Sequence, residues 1–176
     1  MPPSMTAKNL LVTGPPRCGK STLVERVIRR LSMSLTGFFT CEIRERGRRT
    51  GFKIVTMDGR EGVLAHEKGA SRIRVGKYGV NLTDLDAIAV PAMVPSRADE
   101  LIVIDEIGKM ECYSSLFRET LLAALDSPNR VLATIALKGD PFIEQIKHRS
   151  DVALITVSEH NRDQLVKVLC RRLMEE

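Results

Sequence analysis

Gly14 to Ser21 read GPPRCGKS, directly after an apolar run and at the head of an amphipathic one. The stretch fits G-x-x-x-x-G-K-[ST], which requires a strand, a glycine-rich turn and a helix in that order. Ala7 to Thr13 read as the buried strand, and Lys20 to Leu31 as the helix, with Leu23, Val27 and Leu31 on one face. Gly14 and Gly19 let the backbone wrap an anion without a Cβ in the way. Loop amides and the positive end of the helix then face the charge. The expected phosphate-binding set is Gly14, Pro15, Pro16, Arg17, Cys18, Gly19, Lys20, Ser21 and the adjoining Thr22. Lys20 is placed to reach the β- and γ-phosphates, and the Ser21 hydroxyl to bind Mg²⁺. Cys18 stands near a lysine and a helix start, so it is either a small residue that fits the loop or an oxidation-sensitive thiol.

A second motif, LIVIDEIGKME, begins at Leu101. Leu101, Ile102, Val103 and Ile104 form an apolar strand, so Asp105 and Glu106, with Ile107 and Gly108 after them, fall at its carboxyl end. That is the ligand-binding edge of an α/β sheet. Asp105 is expected to hold Mg²⁺, and Glu106 to orient and deprotonate a water. DEIG also matches the D-x-x-G of GTPase switches, but the N-K-x-D guanine motif is absent.

Elsewhere, Gly37 to Arg44, Gly51 to Met57 and Gly62 to His66 are strand-like, with Gly47 turning RERGRRTG. They predict a small antiparallel insertion over about residues 35–81. A helix over Leu82 to Val94 is interrupted on paper by Pro91, with Pro95 just beyond. A helix from about Ser115 to Leu125, a strand Val131 to Ala136, a short helix Pro141 to His148 and a strand Val152 to Val157 follow. The closing helix carries Leu165, Val168, Leu169 and Leu173 on one side, with Ser158 as its expected N-cap. This alternation predicts an α/β fold, a mostly parallel sheet flanked by helices, in a single domain over residues 1–176. Met1 to Met5 carry nothing to tie them down.

Composition narrows the partners. A net charge of +5 suits a protein that handles anionic nucleotides. Aromatics are 4% and Trp is absent, which leaves little for stacking on single-stranded nucleic acid. The basic run Arg44, Arg46, Arg48, Arg49 and Lys53 fits either a nucleic-acid backbone or a solvated hairpin. The four cysteines are scattered without a CxxC pair, which speaks against zinc and disulfides. No run approaches the roughly 20 apolar residues of a membrane span, and MPPSMTAKNLLVTG lacks the apolar stretch of a signal peptide. The expectation is a cytoplasmic protein, monomeric rather than oligomeric.

Taken in order, GPPRCGKSTL, TGFFTCEIRE, RTGFKIVTMDG, VGKYGVNL, VIDEIGKME and ITVSEHNRDQL resemble the thermophile-type, or cancer-related, nucleoside-triphosphatases. The likeness runs from about Leu10 to Gln164. AVPAMVPSRADE departs from it, being shorter and more broken by proline. The resemblance implies a RecA-like P-loop domain that hydrolyses nucleoside triphosphates with Mg²⁺ and broad base tolerance. It puts Gly14 to Ser21 on the phosphates and Asp105 and Glu106 on metal and water. Cradle and acids would also serve a nucleotide or small-molecule kinase, with the residues from Leu35 to Asn81 holding the acceptor. Lys109, Lys138, Arg149 and Arg162 follow strands or lie in loops and are candidates to meet transition-state charge. None stands out as an arginine finger, which predicts slow turnover. Thr134 could sense the γ-phosphate, and Asn161 with Arg162 could touch the base; each is equally an ordinary strand or helix-start residue.

Overall fold

The computed structural model describes residues 7–175, so the expectation for Met1 to Met5 lies outside the described residues. The chain alternates as expected: β1 (Asn9–Thr13), α1 (Lys20–Ile28), β2 (Leu35–Glu45), β3 (Arg48–Thr56), β4 (Glu61–His66), β5 (Arg74–Val75) and β6 (Tyr78–Val80). Then come α2 (Leu82–Asp84), a π-helical turn (Leu85–Ala89), α3 (Val90–Ala92), β7 (Leu101–Ile107), α4 (Ser115–Asp126), β8 (Val131–Ile135), α5 (Pro141–Lys147), β9 (Val152–Thr156) and α6 (Arg162–Met174). The strands form one sheet in the order β5-β6-β4-β3-β2-β7-β8-β1-β9.

Within it β2, β7, β8, β1 and β9 run parallel, and β3 to β6 extend the β2 edge as an antiparallel meander. The insertion expected over about 35–81 therefore shares its first strand with the parallel core. Residue alternation explains the layering, since successive side chains leave a strand on opposite faces. Leu101 and Val103 pack with Leu23 and Val27 of α1 and Leu169 of α6. Ile102 and Ile104 pack with Phe117 and Leu121 of α4 and Ile143 of α5 on the other face. Helices on both faces bury the central strands β1, β7 and β8, which is why these three read as near-continuous apolar runs, whereas β2 and β9 are only partly covered.

Several local expectations are corrected. In α6 the buried residues are Val166, Leu169, Cys170 and Leu173, while Val168 is 42% exposed. The buried face is thus i, i+3, i+4, i+7 from Val166, one residue round from the face read in the sequence. Ser158 does not cap α6. Asn161 holds the N-cap position and ties the preceding loop, accepting from the Ser158 amide at 2.8 Å and donating to the Thr156 carbonyl at 3.0 Å. The proline-containing segment stays helical from Leu82 to Ala92, with Pro91 just after the π-helical turn Leu85–Ala89, whose shifted hydrogen bonding accommodates its missing N–H. Leu31 lies beyond the end of α1.

Candidate active site

The cradle follows from β1 ending at Thr13 and α1 starting at Lys20. A Cβ on Gly14 would lie 2.7 Å from the Val157 carbonyl oxygen and 2.8 Å from Cys18 Sγ. Gly19, at φ 95°, is the N-cap of α1, and its Cβ would meet Arg162 Nη1 at 2.6 Å. Gly14 needs glycine for space, against backbone, and Gly19 for conformation, since the Arg162 side chain beside it could move. Arg17 takes a left-handed φ of 62° and completes the turn. Cys18 is buried against Gly14, so its thiol packs the loop from behind. Lys20 Nζ donates to the carbonyls of Gly14 at 2.9 Å and Pro15 at 3.1 Å, folding the ammonium over the loop.

Strand β8 lies between β1 and β7, so loop and acids are two strand spacings apart, roughly 10 Å. Three side chains bridge that gap. Thr134 of β8 donates to Asp105 Oδ1 at 2.6 Å, and the Ser21 hydroxyl of α1 lies on the same side, close enough to favour the charged Asp105 carboxylate. Burial raises the pKa of Asp105, opposed by the Thr134 hydrogen bond, by the Ser21 hydroxyl and by the charge of Lys20. Glu106, half-buried beside it, is also shifted upward, first by burial and then by the charge of Asp105, with Lys20 opposing. One cavity of about 800 Å³ is lined by Pro16, Arg17, Gly19, Lys20, Ser21 and Thr22 on one wall and by Asp105 and Glu106 on its floor. Gly14 and Cys18 sit behind this wall, and Leu101, Ile102, Val103, Ile104 and Ile107 are core.

Comparison with known proteins now adds to this geometry. A family model described as NTPase matches residues 9–170. The chain belongs to that NTPase family. It is 48% identical to a nucleoside-triphosphatase THEP1 from Thermotoga sp. strain RQ2, covering 89% of this chain and 90% of the relative. It is 36% identical to the human cancer-related nucleoside-triphosphatase, covering 91% and 93% respectively. The crystal structure of THEP1 from Aquifex aeolicus superposes with a TM-score of 0.84 at 32% identity, over 95% of this chain and 99% of that one. The α/β P-loop fold expected from the sequence is the fold of this NTPase family.

A divalent oxygen-seeking cation fits the donors present. The Asp105 carboxylate and the Ser21 hydroxyl face each other, and magnesium takes one or two carboxylates plus substrate phosphates and water. Among the described residues no group of three or more His, Cys, Asp or Glu side chains converges, and all four cysteines are free thiols.

The cationic candidates separate by position. Lys109 and Arg162 line the cavity of this NTPase-family chain, whereas Lys138 does not. Lys138 lines a neighbouring hollow of about 440 Å³ instead. Arg149 is corrected outright. It precedes β9, at the end of the parallel strands away from the cradle, and is spent on Asp151 at 2.8 Å and Asp126 at 2.5 Å. In the basic run, Arg44, Arg48 and Lys53 pair with Glu42, Glu67 and Glu61 on the solvated hairpin. Arg46 and Gly47, at φ 49° and 77°, form its turn. Arg49 alone of this run lines the cavity, over the Phe52 ring at 5.1 Å and bonded to Tyr78 Oη at 3.0 Å. Phe52 lines the same wall, and neither it nor Tyr78 was singled out in the sequence; the only signal was an aromatic beside the basic run.

Glu111 is the other residue that sequence reasoning missed, although it closes the quoted motif. It is 4% exposed and lines the cavity. A Cβ on Gly108 would lie 2.8 Å from Glu106 Oε1 and 2.9 Å from Glu111 Oε2, so the two carboxyls converge there. Burial first and the charge of Glu106 second push the Glu111 pKa from 4.5 up to about 8, against backbone hydrogen bonds from its own amide and that of Gly108. The folded protein thus holds this proton more tightly than the unfolded chain. Stability from this group is full below about pH 4.5 and is lost as pH rises through about 8. Glu111→Gln is expected to remove that dependence. Urea midpoints of the variant should gain on wild type from acid to alkaline pH, and a constant difference would contradict the buried neutral acid.

Proposed function

We propose that the chain is a Mg²⁺-dependent nucleoside-triphosphatase that cleaves ATP, GTP and other nucleoside triphosphates to diphosphate and phosphate, acting as one cytoplasmic domain. One observation carries this reading: Lys20, Ser21, Asp105 and Glu106 share a single cavity. Membership of the NTPase family, with relatives named as nucleoside-triphosphatases, supports the same reaction and weighs against the kinase alternative.

The loop amides and the start of α1 bind the phosphate chain, and Lys20 neutralises its β- and γ-oxygens. Ser21 and Asp105 would hold magnesium together with the substrate, and the ion would supply further neutralisation of the phosphate charge. Thr134 fixes the Asp105 carboxylate through its hydrogen bond at 2.6 Å. Glu106 accepts a proton from water as the water oxygen bonds to the γ-phosphorus and the bond to the β-phosphate oxygen breaks. The upward shift of Glu106 keeps part of it protonated at mildly acidic pH, so activity should rise with pH above the ordinary carboxylate range.

The test is phosphate release by purified protein from ATP, GTP, CTP and UTP without any acceptor, with Mg²⁺ and with chelator. Acceptor-independent release from all four, lost in chelator, is the expected result. Release that requires an added acceptor would overturn the hydrolase reading.

A further inference from the structure

Arg162, the first residue of α6, has a guanidinium without an assigned partner. Its Nη1 and Cδ lie 2.6 and 2.7 Å from the position of a Cβ on Gly19, so its stem and head rest on the last turn of the cradle. Its Nε is buried and unbonded, and among the described residues its side chain makes no hydrogen bond or ion pair. The neighbouring carboxylate, Asp163, is taken by Arg26. Lys20 and Arg17 line the same cavity, and neither can pair with the Arg162 guanidinium. An arginine cannot shed its charge, and a buried donor without an acceptor is costly. The group is therefore built to receive an anion.

Topology says which part of that anion. Strand β9, which leads to Arg162, flanks β1 on the side away from β8 and β7. Arg162 thus approaches Gly19 from the side opposite Asp105 and Glu106. The phosphate to be cleaved must face those acids, so the oxygens within reach of Arg162 belong to the phosphates that stay with the nucleoside. Building on the nucleotide-site reading above, we propose that Arg162 clamps the α,β-diphosphate segment, and so grips substrate and diphosphate product alike. This assigns it neither to the base nor to the transferring phosphoryl group.

The probes are ADP, a non-hydrolysable ATP analogue and inorganic pyrophosphate, titrated calorimetrically into wild type, Arg162→Met and Arg162→Lys. Met retains the apolar stem on Gly19 without the charge, and thermal melting checks that each variant is folded. Charge-assisted hydrogen bonds of this kind set an expected loss of about 10–100-fold. Arg162→Met should weaken all three ligands by the same factor, with Lys recovering part of it. In turnover the loss should fall mainly in KM rather than kcat. Weakening of the ATP analogue with ADP untouched would place Arg162 at the γ-phosphate and overturn the inference. Weakening of ADP with pyrophosphate untouched would place it at the nucleoside and overturn it too. Wild-type affinity for all three in Arg162→Met would sink the clamp and leave the nucleotide site standing; no nucleotide binding by wild type would sink both. Should Arg162→Met fail to fold, unchanged affinities in Arg162→Lys would overturn the bidentate guanidinium contact, and a parallel loss on all three would support it.

Discussion

Glu106→Gln is expected to leave nucleotide binding intact and to lower phosphate release by roughly 10²–10⁴-fold, the usual contribution of a general base. Gln has nearly the size of Glu but cannot take the proton of an attacking water. Binding should survive because the groups proposed to hold the phosphates are elsewhere, in the loop and at Lys20, whose ammonium lies against the Gly14 and Pro15 carbonyls. Removing a charge beside buried Asp105 also relieves repulsion, because the charge of Asp105 is one cause of the upward shift of Glu106. The ATP affinity of the variant should therefore equal or exceed that of wild type. Calorimetric titration and single-turnover phosphate release check the two halves separately. Release within threefold of wild type would remove Glu106 from the chemistry.

Gly37→Ala is expected to cost several kcal/mol, on the order of the whole stability of a domain this size. Gly37 sits in β2 opposite Val103 of β7, at φ 110°. A Cβ there would lie 1.9 Å from the Val103 carbonyl oxygen and 2.8 Å from its amide nitrogen, all of it backbone. Nothing flexible is available to give way, and the neighbouring Phe38 and Ile104 are fully buried. The β2–β7 seam would have to part. Gly47→Ala is the control: it also has a positive φ, but its Cβ would meet nothing within 4 Å. It should cost only about 1 kcal/mol for the left-handed backbone. Urea unfolding of both variants makes the comparison; a midpoint for Gly37→Ala near that of Gly47→Ala would contradict the geometry.

What could be read from the chain, and what could not, follows from the range of the forces involved. GPPRCGKS and LIVIDE are local patterns, each complete within a strand and its exit, so the phosphate loop and the acids were legible. That they meet depends on β8 lying between their strands, with Thr134 bonded to Asp105 and Ser21 in the same cavity. No local pattern states strand order. The two-residue β5 and three-residue β6 are too short to show any period and exist only as partners of the meander. In α6 apolar residues occupy 165, 166, 168, 169, 170, 173 and 174, so two adjacent faces compete, and packing on α1 chooses between them. Glu111 was unreadable for a different reason: an acid near a turn signals solvent exposure unless the fold is known to bury it.

Strand β2 has one further consequence. It is hydrogen-bonded to β7 on one side and β3 on the other, so the phosphate loop and the wall bearing Arg49 and Phe52 belong to a single continuous sheet. Two halves joined in this way have no hinge between them and cannot fold together like the jaws of a clamshell. Nucleotide must enter and leave past individual side chains at the rim, Arg17 and Lys109 among them. Solvent is then rationed by rotamers rather than by a moving lobe.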